Sequence, residues 1–344
     1  MTLAALAALL LGGCRAGAEA DDVCAAERRS DTIDADVWTV GVQVPLEAGG
    51  SVHVEARWPV DAPAAPWPAA LLLHGAWNPL GTPLDKSAMR PDVSGGMVGL
   101  HLDLPGNGRT DGDNDRRGAA SRAAVATALR WAAGEARDLG GCTLSERVPA
   151  ADPDDLYVVG TSNGGNLAVA TLADTTLDTP PVAGLVLWET PAGPQFANVE
   201  LGVDPTVYTP GSCTFAPATG ITCAIPEDRL HAGTVDGAAA LCFDEDGDAV
   251  CTVGDVLVRG VLDLQTGLTM VSPTLAAAAE ARGVLPEGFS PASGADAWWE
   301  ERDAARLATR LVEARPDLPV LLVAIAHAHP SSLSPPSHVF VLGE

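Results

Sequence analysis

The residues with the clearest chemical potential are Gly160-Thr161-Ser162-Asn163-Gly164, which set a serine between two glycines at the spacing Gly-x-Ser-x-Gly. An apolar run from Leu156 to Gly160 precedes the serine, and a run of small and apolar residues follows it. A tight turn from strand to helix demands small residues around the serine and exposes its Oγ at the carboxyl end of the strand. The N–H groups at the start of the helix, that of Asn163 foremost, would face the reaction centre and stabilise a developing oxyanion. The pattern therefore predicts a serine nucleophile for acyl transfer.

A rigid sheet must hold such a serine, and the sequence carries strand patterns on both sides of it. Period-two alternation predicts an opening hairpin of half-buried strands, and short continuous apolar runs predict strands buried on both faces. The hairpin strands are Val37 to Val44 and Val52 to Trp58, and the buried strands are Ala69 to Leu73, Met97 to Leu104, Leu156 to Gly160, Gly184 to Trp188 and Pro319 to Ile325. Helical spacing occurs at Ser121 to Arg137, after Ser162, and at Ala295 to Ala314. Alternating strands and helices predict an α/β fold with a mostly parallel central sheet.

The regular alternation stops after Trp188. A stretch of about one hundred residues rich in Pro, Gly, Asp and Cys follows, which is too long for a plain loop in a compact domain. We interpret residues 191–294 as a cap or lid inserted over the site. The core is then divided into residues 36–190 and residues 295–344.

Two further motifs accompany the serine in a fixed order. Leu73-His74-Gly75-Ala76-Trp77 follows one predicted strand, and Asp103-Leu104-Pro105-Gly106-Asn107-Gly108 follows the next. With the serine motif, they make the segment from Ala69 to Glu189 resemble the α/β-hydrolase family. The resemblance implies that the backbone N–H of Ala76 is a second oxyanion donor. It also implies architectural roles for His74 and Asp103.

A serine of ordinary pKa needs a base, normally a histidine held by a carboxylate, and the resemblance places both late in the chain. Ala324 to Ser337, where relatives often carry the acid, contains neither Asp nor Glu. Some relatives carry it after the preceding strand, and Glu189 at that position is the predicted acid. Its alternative role is to cap the strand end or pair with an arginine. His338 is the predicted base, and His329 and His327 are the other candidates.

The N-terminus predicts export. A short apolar run ends in Leu11-Gly12-Gly13-Cys14, which resembles a bacterial lipobox. The resemblance implies a signal peptide at residues 1–13, a lipidated Cys14, a linker over residues 14–35, and a cell-envelope protein on the periplasmic or extracellular face. An ordinary secretory signal with a chance cysteine is the alternative.

The other six cysteines form an even set that suits an oxidising compartment. Sequence alone allows about 15 pairings of six cysteines, and nearest-neighbour pairing is the simplest. It predicts the disulfides Cys24–Cys142, Cys213–Cys223 and Cys242–Cys251. Zinc is a poorer explanation, because the spacings are not Cys-x-x-Cys.

Charge and composition exclude some partners. The formal net charge of −25 repels nucleic acid phosphates, so no nucleic acid partner is expected. Asp244-Glu245-Asp246-Gly247-Asp248 resembles the start of a calcium loop, but no glutamate stands at the closing position near Val253. Cys242 and Cys251 already explain a tight acidic turn there. Neither a metal nor a cofactor is expected.

The sequence thus predicts an α/β-hydrolase fold with an opening hairpin and a large disulfide-containing cap. The expected function is an exported serine hydrolase that cleaves a carboxylic ester or small amide, held to a membrane by its N-terminal lipid. A peptidase of the serine aminopeptidase type is one alternative, with short peptides as substrates. A non-catalytic binding lipoprotein on a degenerate hydrolase scaffold is another.

Overall fold

An eight-stranded sheet organises the described part of the chain. In this computed structural model, the described residues are 24, 29–30, 37–60, 66–75, 96–188, 190, 213–216, 220–258 and 260–323. The strands of the sheet are β1 (Arg29–Ser30), β2 (Val37–Pro45), β3 (Ser51–Pro59), β4 (Trp67–Leu73), β5 (Val98–Leu102), β6 (Ala151–Thr161), β7 (Gly184–Trp188) and β15 (Val320–Val323). They lie in the order β1-β2-β3-β5-β4-β6-β7-β15.

The direction of the strands divides the sheet into two parts. β1, β2 and β3 pair antiparallel, and β3 also pairs antiparallel with β5. From β5 to β15 every neighbouring pair is parallel. An antiparallel hairpin, a crossed β4/β5 order and a central strand leading into a helix are the topology of the α/β-hydrolase fold. The predicted fold class is confirmed.

Three helices cover one face of this sheet. They are α1 (Ala119–Ala132), α3 (Asn163–Ala173) and α6 (Ala304–Ala314), and the short α2 (Leu144–Arg147) lies between α1 and β6. Their apolar residues join those of β3 to β7 in one buried cluster that includes Trp58, Leu71, Leu100, Leu129 and Val158. This core holds the carboxyl ends of β4 and β6 in place, and the site is built there.

Strand β3 departs from the half-buried pattern that its alternation predicts. Val52, Val54 and the other apolar residues face the helices, as expected, but the opposite face of β3 is buried as well. β3 lies inside the sheet between β2 and β5, and the turn after β5 packs over its polar side. There the N–H of His53 donates to Thr110 Oγ1 at 2.8 Å, and Arg109 lies 3.5 Å from Glu55.

The predicted cap, together with the residues up to Glu300 that follow it, has a hydrophobic core of its own, and both are called the cap below. Its elements are β8 (Cys213–Ala216), β9 (Gly220–Cys223), β10 (Leu230–Val235), β11 (Ala238–Phe243), β12 (Val256–Leu257), β13 (Val261–Leu262), β14 (Thr269–Met270), α4 (Pro273–Arg282) and α5 (Ala292–Glu300). Leu241, Phe243, Leu275 and Trp299 belong to a buried cluster separate from that of the main sheet. No described helix is both long and apolar enough to cross a membrane.

The prediction of one continuous helix from Ala295 to Ala314 is wrong, because α5 ends at Glu300 and α6 begins at Ala304. The N–H groups of Arg302 and Asp303 both donate to the carbonyl of Trp299, and the side chain of Asp303 caps α6 by accepting from Ala305 at 2.9 Å. Trp299 packs in the cap cluster, whereas α6 packs in the main core. The break lets the two halves serve different cores.

Two of the three predicted disulfides are present among the described cysteines. Cys24 is bonded to Cys142, and Cys242 is bonded to Cys251. The strand positions 213 and 223 are direct register partners on β8 and β9. Their side chains lie outside the described part of the structure, so this third pairing stays a prediction.

Candidate active site

Ser162 occupies a strained turn between β6 and α3. Its backbone has φ 51° and ψ −126°, a left-handed conformation that costs a residue with a side chain about 1–3 kcal/mol. Its N–H donates to the carbonyl of Trp188 at 2.8 Å, and its carbonyl accepts from the N–H of Gly165 at 2.9 Å. These bonds tie the turn to the neighbouring strand β7 and to the first turn of α3. The geometry is that of a nucleophile elbow.

The glycines around Ser162 are explained by close approach of backbone. A Cβ on Gly160 would lie 2.6 Å from the backbone nitrogen of Gly165, and a Cβ on Gly164 would lie 2.8 Å from the carbonyl oxygen of His74. A Cβ on Gly75 would lie 2.7 Å from the Cβ of Ser162. The carboxyl ends of β4 and β6 therefore meet at the elbow with no room for side chains.

Asn163 begins α3 directly after the serine and is 3% exposed. The N–H groups in the first turn of a helix point toward the residues that precede it, and the helix dipole favours negative charge there. The side chain of Asn163 accepts a hydrogen bond from Asn166 at 3.4 Å, and Asn166 Oδ1 accepts from the N–H of Ala304 at 2.9 Å. α6 thus helps to fix the start of α3.

His74 lies beside the elbow but is not built to act as a base. Burial, with the charge of Arg117, lowers the pKa of His74 to about 4, so the ring is neutral at pH 7. Its Nδ1 lies 2.8 Å from the carbonyl oxygen of Gly75, and the ring nitrogen donates there. A histidine of such low basicity, with Nδ1 bonded to its own turn, supports the architectural role that the sequence predicts.

Asp103 is likewise occupied by its own turn. It is 5% exposed, and its carboxylate accepts from the N–H of Arg109 at 2.9 Å. A Cβ on Gly108, which has φ 54°, would collide with that carboxylate. Asp103 therefore shapes the turn after β5, as the sequence analysis predicts.

Several predicted site residues lie outside the described residues, and their placement stays a prediction. They are Ala76, Glu189, His338, the alternative histidines His329 and His327, and Cys14. The sequence neighbours of Glu189 are described. The carbonyl of Trp188 accepts from Ser162, and Thr190 is 3% exposed, packed where a Cβ on Gly165 would fall.

One buried arginine near the elbow, Arg117, was missed by the sequence reasoning. Arg117 is 6% exposed, and its Nη2 donates to the carbonyl oxygen of His74 at 3.2 Å. Burial, with the charge of Arg116, lowers the pKa of Arg117 to about 9, so it carries its charge at pH 7. Two adjacent arginines in a strongly acidic chain were the available signal.

One acidic cluster in the cap has the composition of a cation site. Carboxylate oxygens of Asp244, Asp246 and Asp255 lie within 4.8 Å of one another. The sequence analysis sought the closing acid near Val253, whereas the structure brings Asp255 to that place. Asp244 also accepts backbone N–H groups of its own loop, from Gly247 at 2.7 Å and from position 249 at 2.8 Å. Such a cluster could bind a divalent cation.

A cavity of about 440 Å³ runs along α1, away from the serine. The tip of the β2–β3 hairpin, the turn after β5 and residues 176–178 complete its walls. Ser162, Gly75 and Asn163 do not line it, so it does not serve the elbow.

Comparison with known proteins found solved structures that align with part of this chain. No protein-family model and no curated protein sequence matches the chain. Among solved structures, a hypothetical protein from Pseudomonas aeruginosa is 18% identical and aligns 46% of this chain with 44% of its own, at a TM-score of 0.34. The esterase Est22 is 14% identical over 44% of this chain and 43% of its own, at a TM-score of 0.35. Brefeldin A esterase, described as a bacterial homologue of human hormone sensitive lipase, is 20% identical over 45% and 40%, at a TM-score of 0.33.

These alignments span less than half the length of the structures that they match. The assignment of the fold rests on features of the chain itself, namely the sheet order and the turn at Ser162. On those features, the protein has the α/β-hydrolase fold.

Proposed function

We propose that the protein is a serine hydrolase that cleaves a carboxylic ester or a small amide through an acyl-enzyme on Ser162. The observation that carries the proposal is the strained backbone of Ser162 at the carboxyl end of β6, immediately before α3. Backbone strain of this kind persists where surrounding structure holds it, and it concentrates at functional sites. Among the described residues with side chains, four others have positive φ, but Ser162 alone has it where a strand of the main sheet leads directly into a helix.

The proposed reaction has two stages. Ser162 Oγ attacks the substrate carbonyl while the base, His338, takes the serine proton. The oxyanion is held by the backbone N–H groups of Asn163 and Ala76, and the leaving alcohol or amine departs with the proton. Water then attacks the acyl-enzyme and gives its proton to the same base; the bond from the acyl carbon to Ser162 Oγ breaks, Oγ receives that proton, and the acid product and free serine are released. An oxyanion donor of this type contributes about 3–4 kcal/mol in other enzymes.

The roles of Ala76 and Glu189 are supported by the residues next to them. Gly75 contacts Ser162 so closely that a Cβ on it would lie 2.7 Å from the serine Cβ, and residue 76 follows it directly. Trp188 and Thr190, on either side of Glu189, both contact the elbow or the start of its helix. Glu189 as the acid that orients the base is therefore consistent with its neighbours.

A fluorophosphonate probe tests the nucleophile directly, because it reacts only with an activated serine. We expect labelling of the folded wild-type protein and no labelling of Ser162→Ala. Ser293→Ala is the matched control, since Ser293 is exposed on α5, and it should be labelled like wild type. Wild-type protein that is folded but unlabelled would instead support a non-catalytic scaffold. Hydrolysis of p-nitrophenyl esters compared with aminoacyl anilides would separate an esterase from a peptidase.

The proposal includes export and a lipid anchor on Cys14, which would place the enzyme at the cell envelope with its substrate outside the cytoplasm. The disulfides Cys24–Cys142 and Cys242–Cys251 support this, because such bonds persist in oxidising compartments. Incorporation of labelled palmitate by the wild-type protein in cells, and its loss in Cys14→Ser, is the expected result. Equal incorporation by both would contradict the anchor.

A further inference from the structure

The junction between α5 and α6 joins the cap to the main core. Trp298 and Trp299 at the end of α5 are buried in the cap cluster, and Leu307 on α6 is buried in the core cluster. Arg302 lies between them, with a side chain that is 9% exposed. A change at this residue would act on both parts of the protein.

Arg302 uses its whole guanidinium at the junction. Nε donates to the carbonyl of Arg116 at 3.2 Å, and Nη2 donates to the carbonyl of Asp115 at 3.2 Å. Nη1 donates to the carbonyl of Trp298 at 3.0 Å, and the guanidinium carbon lies 4.3 Å from the centre of the Trp298 ring. A lysine has no planar fork and cannot make these three bonds and the stacking contact together.

The loop that Arg302 holds is strained. Arg116 has φ 52° and Arg117 has φ 67°, so two consecutive residues with side chains adopt the left-handed conformation. Each costs about 1–2 kcal/mol in that region, so the surroundings must hold the loop there. Asn114 Oδ1 accepts the N–H of Arg116 at 2.9 Å, and Arg116 Nε donates to the carbonyl of Leu262 in the cap at 3.2 Å.

The strained loop directs Arg117 to the elbow. Arg117 Nη2 donates to the carbonyl of His74 at 3.2 Å, and the next residue, Gly75, packs against Ser162. A continuous series of direct contacts therefore runs from Arg302 through the loop and Arg117 to the nucleophile.

We infer that Arg302 is a positioning residue for the reaction at Ser162. It fixes residues 115–117 so that Arg117 holds the His74–Gly75 turn against the serine. Through Arg302 the cap sets the geometry of the elbow without touching the substrate. The effect of Arg302 on the reactivity of Ser162 rests on the proposed hydrolase function, whereas the structural link from the cap to the elbow does not.

The test compares Arg302→Met with Arg310→Met. Methionine keeps the packing over Trp298 and removes the donors. Arg310 is the matched control, because its guanidinium pairs with Glu300 at 2.7 Å between two exposed side chains of the same helices. The rate of fluorophosphonate labelling of folded protein should fall about 10- to 100-fold in Arg302→Met, the cost of a displacement of about 1 Å at a reacting centre, and should be unchanged in Arg310→Met.

Further variants separate positioning from general stability. Arg302→Lys should fail to restore the labelling rate, because the fork is lost. Arg117→Met should lose labelling to a similar extent, and the double variant should be no slower than the slower single variant, since both act through one series of contacts. If Arg302→Met does not fold, Arg302→Lys takes its place, both as the single variant and in the double variant with Arg117→Met. Labelling of Arg302→Lys at the wild-type rate, or multiplicative losses in the double variant, would overturn the inference.

Hydrogen exchange distinguishes this inference from the proposed function. Exchange of a peptide that contains His74 and Gly75 should be faster in Arg302→Met than in Arg310→Met. If wild-type protein is not labelled, the hydrolase proposal fails, and faster exchange would still establish the link from cap to elbow. Equal exchange in the two variants would overturn the link whatever the labelling shows.

Discussion

Replacing Gly164 by alanine tests the claim that backbone contact builds the elbow. Gly164 is in the first turn of α3, where an added Cβ would lie 2.5 Å from the carbonyl carbon of Leu73 and 2.8 Å from the carbonyl oxygen of His74. These are backbone atoms at the end of β4, which cannot turn away as a side chain could. The start of α3 must therefore move away from β4 by about 1 Å to reach ordinary contact distances.

The displacement should lower both the free energy of unfolding and the labelling rate at Ser162. Overpacking a well-packed interior destabilises by about 1–3 kcal/mol. Alanine favours helix over glycine by up to about 1 kcal/mol, which offsets part of this loss. We therefore expect a decrease of about 1–2 kcal/mol in the free energy of unfolding. A shift of about 1 Å at a reacting centre can lower the rate about 100-fold, so the loss of labelling at Ser162 should exceed the loss of stability.

Urea unfolding followed by circular dichroism, together with fluorophosphonate labelling of the folded protein, measures both effects. Gly254→Ala is the control, because its Cβ would meet only Thr252 Oγ1, at 3.4 Å. The control should change stability by less than about 0.5 kcal/mol and leave labelling intact. If Gly164→Ala had the unfolding midpoint and labelling rate of the wild-type protein, the close approach of α3 to β4 would be wrong.

Two further predictions concern charge in the buried core. The pKa of His74 is about 4 in the folded protein and 6.5 for an ordinary histidine, so only the unfolded chain binds its proton between these values. The stability that this shift contributes is full above pH 6.5, and up to about 3 kcal/mol of it is lost as the pH falls to 4. In urea unfolding, His74→Gln should remove this dependence of the free energy of unfolding on pH. The same dependence in both proteins would contradict the assignment. Asp138 and Arg147 form a bidentate ion pair at 2.8 and 3.1 Å with both side chains 1% exposed, so Asp138→Ala should cost about 3–5 kcal/mol by leaving a buried charge. Arg137→Ala, which breaks a pair of similar geometry at the surface, should cost at most about 1 kcal/mol, and equal losses would refute the role of burial.

Prediction from sequence succeeded where the pattern that indicates a feature lies within one short segment. The strand from Gly184 to Trp188 was located to the residue, and the hairpin strands to within one. Apolar runs and period-two alternation are local properties, so they survive without knowledge of the rest of the chain. The pairing of Cys242 with Cys251 belongs to the same class, since the two are 9 residues apart.

Prediction failed where burial depends on distant residues. The polar face of β3 has the alternation of a solvent-facing surface, yet Glu55 and Arg57 are 7% and 1% exposed. The turn after β5 packs over part of that face. The alternation within a strand does not show which other segment will pack over it. The break between Glu300 and Ala304 was missed for a similar reason, because helical spacing continues through it in sequence while the two halves pack in different cores.

The sequence by itself determined that Ser162 is at a strand-to-helix turn, because a small-residue motif between a buried strand and a helix has one compact solution. Only the tertiary structure decided how that turn is held. Gly75 reaches Ser162 through the pairing of β4 with β6, and Arg302 reaches Asp115 across 187 positions of the chain. Contacts of this kind depend on how whole elements pack, and their energy comes from burial and fixed hydrogen-bond geometry rather than from any local pattern.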